Sequence, residues 1–157
     1  MNQFFQILKK DHMEVKEMFT QLEGMKERPS TPRDTMFQKL KSELLPHMKA
    51  EEIAFYEPLE NKKEAREQAL EAEEEHHVAE IVLKELEKEQ KVDGHWGAKL
   101  AVLKELVEHH IQEEEGKVFK SAEKVLKSDD LQNIMKRFEQ EKEKAKKRMQ
   151  QTMQHAA

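Results

Sequence analysis

The chain has 157 residues, 39% of them charged, with a net charge of −5, four glycines, four prolines and no cysteine. That length closes one hydrophobic core, and zero cysteines exclude thiolate metal ligation, iron–sulfur clusters and disulfides. Basic residues are interleaved with acids rather than gathered, which argues against a nucleic-acid partner, and no apolar run approaches membrane-spanning length.

Met1-Asn2-Gln3-Phe4 opens directly into an amphipathic helix with no secretory signal, so the expected location is the cytoplasm. In this first helix the apolar stripe runs Phe5, Leu8, His12, Val15, Phe19, Leu22. Arg28-Pro29-Ser30-Thr31-Pro32 closes it, because paired prolines stop a helix and Ser or Thr caps the next. The second stripe runs Phe37, Leu40, Leu44, His47, Glu51, Phe55, and Pro58 near Asn61-Lys62-Lys63 is expected to end that helix. The third runs Ala69, Ala72, His76, Ala79, Leu83, Leu86, up to a turn at Val92-Asp93-Gly94-His95-Trp96-Gly97. The fourth runs Leu100, Leu103, Val107, His110, Glu114, Val118. Ser128-Asp129-Asp130 then caps a fifth helix from Leu131 to about Met149, carrying Ile134, Met135 and Phe138. Its charged stretch from Glu139 to Arg148 is expected to face solvent. Short connections imply antiparallel neighbours. The predicted fold is therefore all-α: an up-down-up-down antiparallel four-helix bundle over residues 1–127 and a C-terminal helical extension over 128–157.

Two halves of the chain spell one pattern twice. Asp11-His12 is followed by His47-Met48-Lys49-Ala50-Glu51-Glu52-Ile53-Ala54-Phe55-Tyr56. Glu75-His76 is followed by His110-Ile111-Gln112-Glu113-Glu114-Glu115-Gly116-Lys117-Val118-Phe119. The offsets are 64 between the acid–His pairs and 63 between the His-x-x-x-Glu-Glu segments. Spacings of three and four put His12, His47, Glu51, His76, His110 and Glu114 on the faces that bury.

A carboxylate buried without a partner costs several kcal/mol, so these groups need counter-charges or a metal. Counting residues back from the loops, at about 1.5 Å each, sets all four histidines about 20 Å from the connecting turns, in one layer. Any one of them alone reads most simply as a hydrogen-bonded core residue; four in register with two glutamates read as metal ligands. A slip of one residue would exchange His76 for His77 and His110 for His109, which otherwise flank the stripe. His95 in a turn and His155 in the tail are bystanders. Glu52 and Glu115 either hydrogen-bond ligand imidazoles or face solvent. Phe5, Phe19, Phe37, Phe55 and Phe119 are bundle core.

This order of Asp-His, His-x-x-x-Glu-Glu, Glu-His and His-x-x-x-Glu-Glu-Gly resembles the hemerythrin-like, HHE cation-binding domains over roughly residues 5–127. The resemblance implies a four-helix bundle holding a non-haem di-iron centre, with His12, His47, His76 and His110 as terminal ligands and Glu51 and Glu114 bridging. The resemblance implies two iron ions as the cofactor; imidazole and carboxylate without thiolate suit iron, and also manganese or zinc. Oxygen-carrying hemerythrins have a His-x-x-x-His pair on the third helix, whereas Glu80 stands four residues after His76 here. The chain thus resembles the four-histidine branch, with a position that is open or taken by Glu80, Tyr56 or water. The Glu-x-x-His pattern of ferritin-like bundles does not match.

The leading functional reading is a metal-binding protein whose partner is a small diatomic or peroxide ligand, or iron itself. A second is a di-iron enzyme turning over peroxide or nitric oxide, although no separate substrate pocket or acid–base residue is visible. A third is a structural bundle with a zinc site.

Overall fold

The computed structural model describes residues 2–156, with side chains described as far as Gln154. His155 lies outside the described side chains. The first helix spans Gln3–Glu23, and the Asn2 side chain accepts the Phe4 amide at 2.8 Å, which satisfies one amide that a helix start leaves unpaired. The second starts behind Ser30, whose hydroxyl accepts the Arg33 amide at 3.1 Å. It runs Thr31–Glu51, through a π-turn Glu52–Tyr56, into Glu57–Glu60. The third is Arg66–Lys88. The fourth repeats the second, with His95–Glu113, a π-turn Glu114–Val118 and then Phe119–Val125. The fifth is Ser128–Ala156. No strand occurs among the described residues, and no helix is long and apolar enough to cross a membrane.

Every residue of the four stripes is buried. The first helix packs on the second and fourth, and the third on the fourth and second, which closes an all-α four-helix bundle. Its core has two apolar halves. One gathers Phe4, Phe5, Phe55, Leu59, Phe119 and Phe138; the other gathers Phe19, Leu40, Leu83, Leu86, Trp96 and Leu103. At the second end Arg33 is buried with its guanidinium 4.0 Å from the centre of the Trp96 ring, a cation–π contact.

Several boundaries differ from the sequence expectation. The first regular helix stops at Glu23, and the chain turns on to Arg28 before its prolines are reached. Pro58 does not end the second helix. It sits in the first turn after the π-turn, where a missing amide is tolerated, and the helix continues to Glu60. A second proline, Pro46, lies inside that helix. The turn before the fourth helix falls earlier than expected, over residues 89–94: Gly94 adopts φ +92°, a left-handed conformation open mainly to glycine, and the helix begins at His95. The fifth helix starts at Ser128 and extends to Ala156.

The charged stretch of that fifth helix is not simply solvated. It lies along the second helix, with Lys142 paired to Asp11 at 2.8 Å and Lys146 to Glu43 at 3.1 Å. One turn earlier Phe138 is 1% exposed, edge-on to Phe4 at 5.6 Å between ring centres. Phe138→Ala should therefore lower the free energy of unfolding by about 3–5 kcal/mol, the usual cost of removing a buried phenyl ring. Denaturant titration measures it, and a loss below about 1 kcal/mol would show that the helix contributes nothing to the core.

Candidate metal centre

A polar layer separates the two apolar halves. His12, His47, His76, His110, Glu51 and Glu114 are all buried, the two glutamates at 0% exposure. The rings of His12 and His47 lie 5.1 Å apart and those of His76 and His110 4.4 Å apart, so the six residues share the level expected of them. The alternative register does not occur: His77 and His109 are exposed.

Each imidazole is gripped at Nδ1 by a carboxylate from another helix. Asp11 on the first helix takes His47 on the second at 2.8 Å, and Glu52 on the second takes His76 on the third at 2.9 Å. Glu75 on the third takes His110 on the fourth at 2.8 Å, and Glu115 on the fourth takes His12 on the first at 2.7 Å. The four bonds close a ring around the bundle. Glu52 and Glu115 thus take the hydrogen-bonding role, and Asp11 and Glu75 join them. The signal for these two lay in the repeat, where each acid directly precedes a histidine yet serves the histidine of the next helix.

A carboxylate acceptor fixes the proton on Nδ1 and turns the Nε2 lone pair inward. What each Nε2 meets there is another acceptor. His12 Nε2 lies 3.2 Å from Glu114 Oε1, and His47 Nε2 3.1 Å from Glu51 Oε1. His76 Nε2 lies 3.2 Å from the same Glu51 oxygen and 3.0 Å from His110 Nε2. Among the described residues seven buried side-chain atoms have no aligned hydrogen-bond partner, and five belong to His12, His47, Glu51 and Glu114. Such a concentration of inward lone pairs is satisfied by cations. The donors fall into two groups, His12–His47–Glu51–Glu114 and Glu51–His76–His110, which share Glu51. Nitrogen and oxygen donors without sulfur fit iron, manganese or zinc.

The π-turns bring a further residue to the layer. Their wider bonds run from the Glu57 amide to the Glu52 carbonyl and from Phe119 to Glu114, and π-turns recur at functional sites. The added residue swings Tyr56, five after Glu51, fully into the core. Its hydroxyl donates to Glu114 and lies 3.4 Å from His76 Nε2 and 3.2 Å from His110 Nε2. Glu80 does not approach the layer: its carboxylate pairs with Lys84 at 3.1 Å and is 42% exposed. Glu80 sits on the outward face, and of the two protein groups considered for the open position Tyr56 is the one at the histidines. A separate group of Glu89, Asp93 and His95 gathers at the turn before the fourth helix, but His95 and Asp93 are exposed and Glu89 is paired with Lys99.

Beside the donors lies a cavity of about 20 Å³, walled by Val15, Leu44, Met48, Ala79, Val107 and Ile111. That volume admits one molecule of the size of water.

The hemerythrin HHE cation-binding domain matches residues 3–122, and the chain belongs to this family. Comparison with curated proteins and with solved structures found no match. The matched span holds all six layer residues and stops short of the fifth helix.

Charge explains how the layer behaves without metal. Burial alone would depress the His47 imidazole, but Glu51 and Asp11 outweigh it and raise it to about 10. His76, opposed by burial in the same way, is raised to about 9 by Glu51 and Glu52. Burial opposes ionisation of Glu51 too, yet His47 holds it well below the ordinary carboxylate range. Protons then occupy sites that a cation would take, and metal uptake must expel them. Because His47 and His76 are raised above the ordinary 6.5, their pairing stabilises the metal-free fold below that value and is lost as pH rises through about 9 to 10. The melting temperature of metal-free protein should fall across that window, while metal-loaded protein holds steadier. A flat metal-free profile would contradict the pairing.

Proposed function

We propose that the chain holds a non-haem di-iron centre on His12, His47, Glu51, His76, His110 and Glu114 and uses it to handle dioxygen, nitric oxide, peroxide or iron itself. The observation that carries this reading is the pair of buried donor groups sharing Glu51, in the first of which His12 Nε2, His47 Nε2, both Glu51 oxygens and Glu114 Oε1 have no aligned hydrogen-bond partner. Bound iron would supply Lewis acidity and exchangeable electrons.

The chain's own residues do the rest. Asp11, Glu52, Glu75 and Glu115 lock the imidazoles by their Nδ1–H bonds, so the donors are set before an ion arrives. Glu114 reaches toward both halves, with Oε1 3.2 Å from His12 Nε2 and Oε2 3.7 Å from His110 Nε2. The Tyr56 O–H, held on Glu114, offers the layer one proton donor. The apolar wall of the cavity excludes bulk water and limits any ligand to a few atoms, which favours a diatomic or peroxide over an organic substrate.

Elemental analysis of protein purified without added metal, together with an absorption spectrum under air, tests the proposal. Two irons per chain and visible bands that shift with azide are expected. His47→Ala and His110→Ala should each cut metal content by about half or more, since each removes a donor from one group, while the exposed His77→Ala keeps it. Zinc with a featureless spectrum would favour the structural reading instead. Removal of the metal should lower the melting temperature, and Glu51→Gln should narrow that gap by taking from the loaded form the donor that both groups share. Equal melting of the two forms in the wild type would mean that Glu51 and Glu114 hold no ion.

A further inference from the structure

The four carboxylates that grip the imidazoles are not equivalent. Among the described residues, Asp11 is the one with a lysine paired to it. Lys142 Nζ lies 2.8 Å from Asp11 Oδ2, the same oxygen that accepts the His47 Nδ1–H at 2.8 Å. Glu75, which stands at the corresponding place in the repeat, has instead the exposed His109 at 3.6 Å. Lys142 belongs to the fifth helix, outside the span matched by the family. Four residues before it, on the same helical face, Phe138 sets its ring edge-on to the His47 ring at 5.5 Å between centres. His47 is therefore touched from the fifth helix twice, once on its ring and once through its hydrogen-bond partner.

We propose that Lys142 and Phe138 are positioning residues for His47, tuning from outside the four-helix bundle how strongly that imidazole donates to the metal. The inference rests on His47 being a metal ligand. An imidazole becomes a better donor as the carboxylate on its other nitrogen bears more charge. Lys142 draws on the same oxygen that serves His47, so it weakens that push. The pair is well shielded from solvent, with side-chain exposures of 19% for Lys142 and 13% for Asp11, so water screens it only in part. A positive charge at this distance also disfavours the more oxidised metal. Both effects act in one direction: the lysine raises the reduction potential of the centre. Phe138 has a different part, blocking rotation of the ring that Asp11 holds.

The test is the midpoint potential of the metal-loaded protein, by spectroelectrochemical titration, in samples matched for metal content. Lys142→Met should lower it, shifting the oxidised-to-reduced ratio about tenfold toward oxidised, whereas Lys142→Arg should stay near wild type. Lys146→Met removes an equal charge from the same helix, but its partner Glu43 serves no histidine, and it should leave the potential unmoved. Lys142→Gln, uncharged but still able to hydrogen-bond, is read in place of Lys142→Met if the latter fails to fold. In an Asp11→Asn background the Lys142→Met shift should shrink, because the part that runs through that carboxylate is gone and only the direct effect of the charge is left. Full metal content with an unmoved potential, or an equal shift in Lys146→Met, overturns this inference alone. A protein that takes up no redox-active metal overturns the reading of His47 as a ligand, and this inference with it.

Discussion

Four imidazoles and two carboxylates buried in one layer would ordinarily be a liability in a bundle of this size. What makes them tolerable is the ring of Nδ1–H bonds, in which each helix presents a carboxylate to the histidine of the next until the fourth returns to the first. The ring fixes tautomer and ring orientation together. It also commits all four Nε2 atoms inward, so the layer is completed only by protons or by metal. The fold and the cation affinity are therefore two aspects of one arrangement: the same bonds that set the helices at a common level also prepare the donors.

The departures from exact repetition concentrate chemistry on one side. Tyr56, which ends the first π-turn, and Phe119, which follows the second, are equivalent in the repeat, yet only the tyrosine brings a hydroxyl to the donors, while Phe119 stacks on Phe5 at 4.2 Å. The tyrosine lies at His76 and His110. The fifth helix acts on the opposite side, at His47. The two halves of the centre thus face different surroundings although their six principal donors repeat.

The stripes of the four core helices were readable because burial follows the 3.6-residue period, and every residue placed on a stripe is buried. The site residues came with them, since a histidine in an apolar register is conspicuous. Other features were hidden for physical reasons. A π-turn inserts one residue without any composition signal, so the sequence offers Tyr56 for the open position only beside Glu80 and water, with nothing to show which side chain turns inward. Pro58 reads as a stop because a helix-breaking residue gives no hint that the preceding turn has already changed its bonding. Glu80 drew notice by its spacing from His76, but a position four residues on faces the layer only if its side chain turns inward, and a long charged chain with Lys84 nearby turns out. The fifth helix looked solvated because its lysines are charged; their partners, Asp11 and Glu43, are remote in sequence and no local pattern reveals them.

The ring also has a symmetry that the linear chain conceals. Two of its links, Asp11 to His47 and Glu75 to His110, close within a helical hairpin, and the other two, Glu52 to His76 and Glu115 to His12, join the hairpins. Each hairpin therefore exposes one histidine in need of a carboxylate and one carboxylate in need of a histidine. Those unmet needs are complementary between hairpins and of the same kind on both. The internal repeat thus has the bonding of a twofold dimer, written into a single polypeptide.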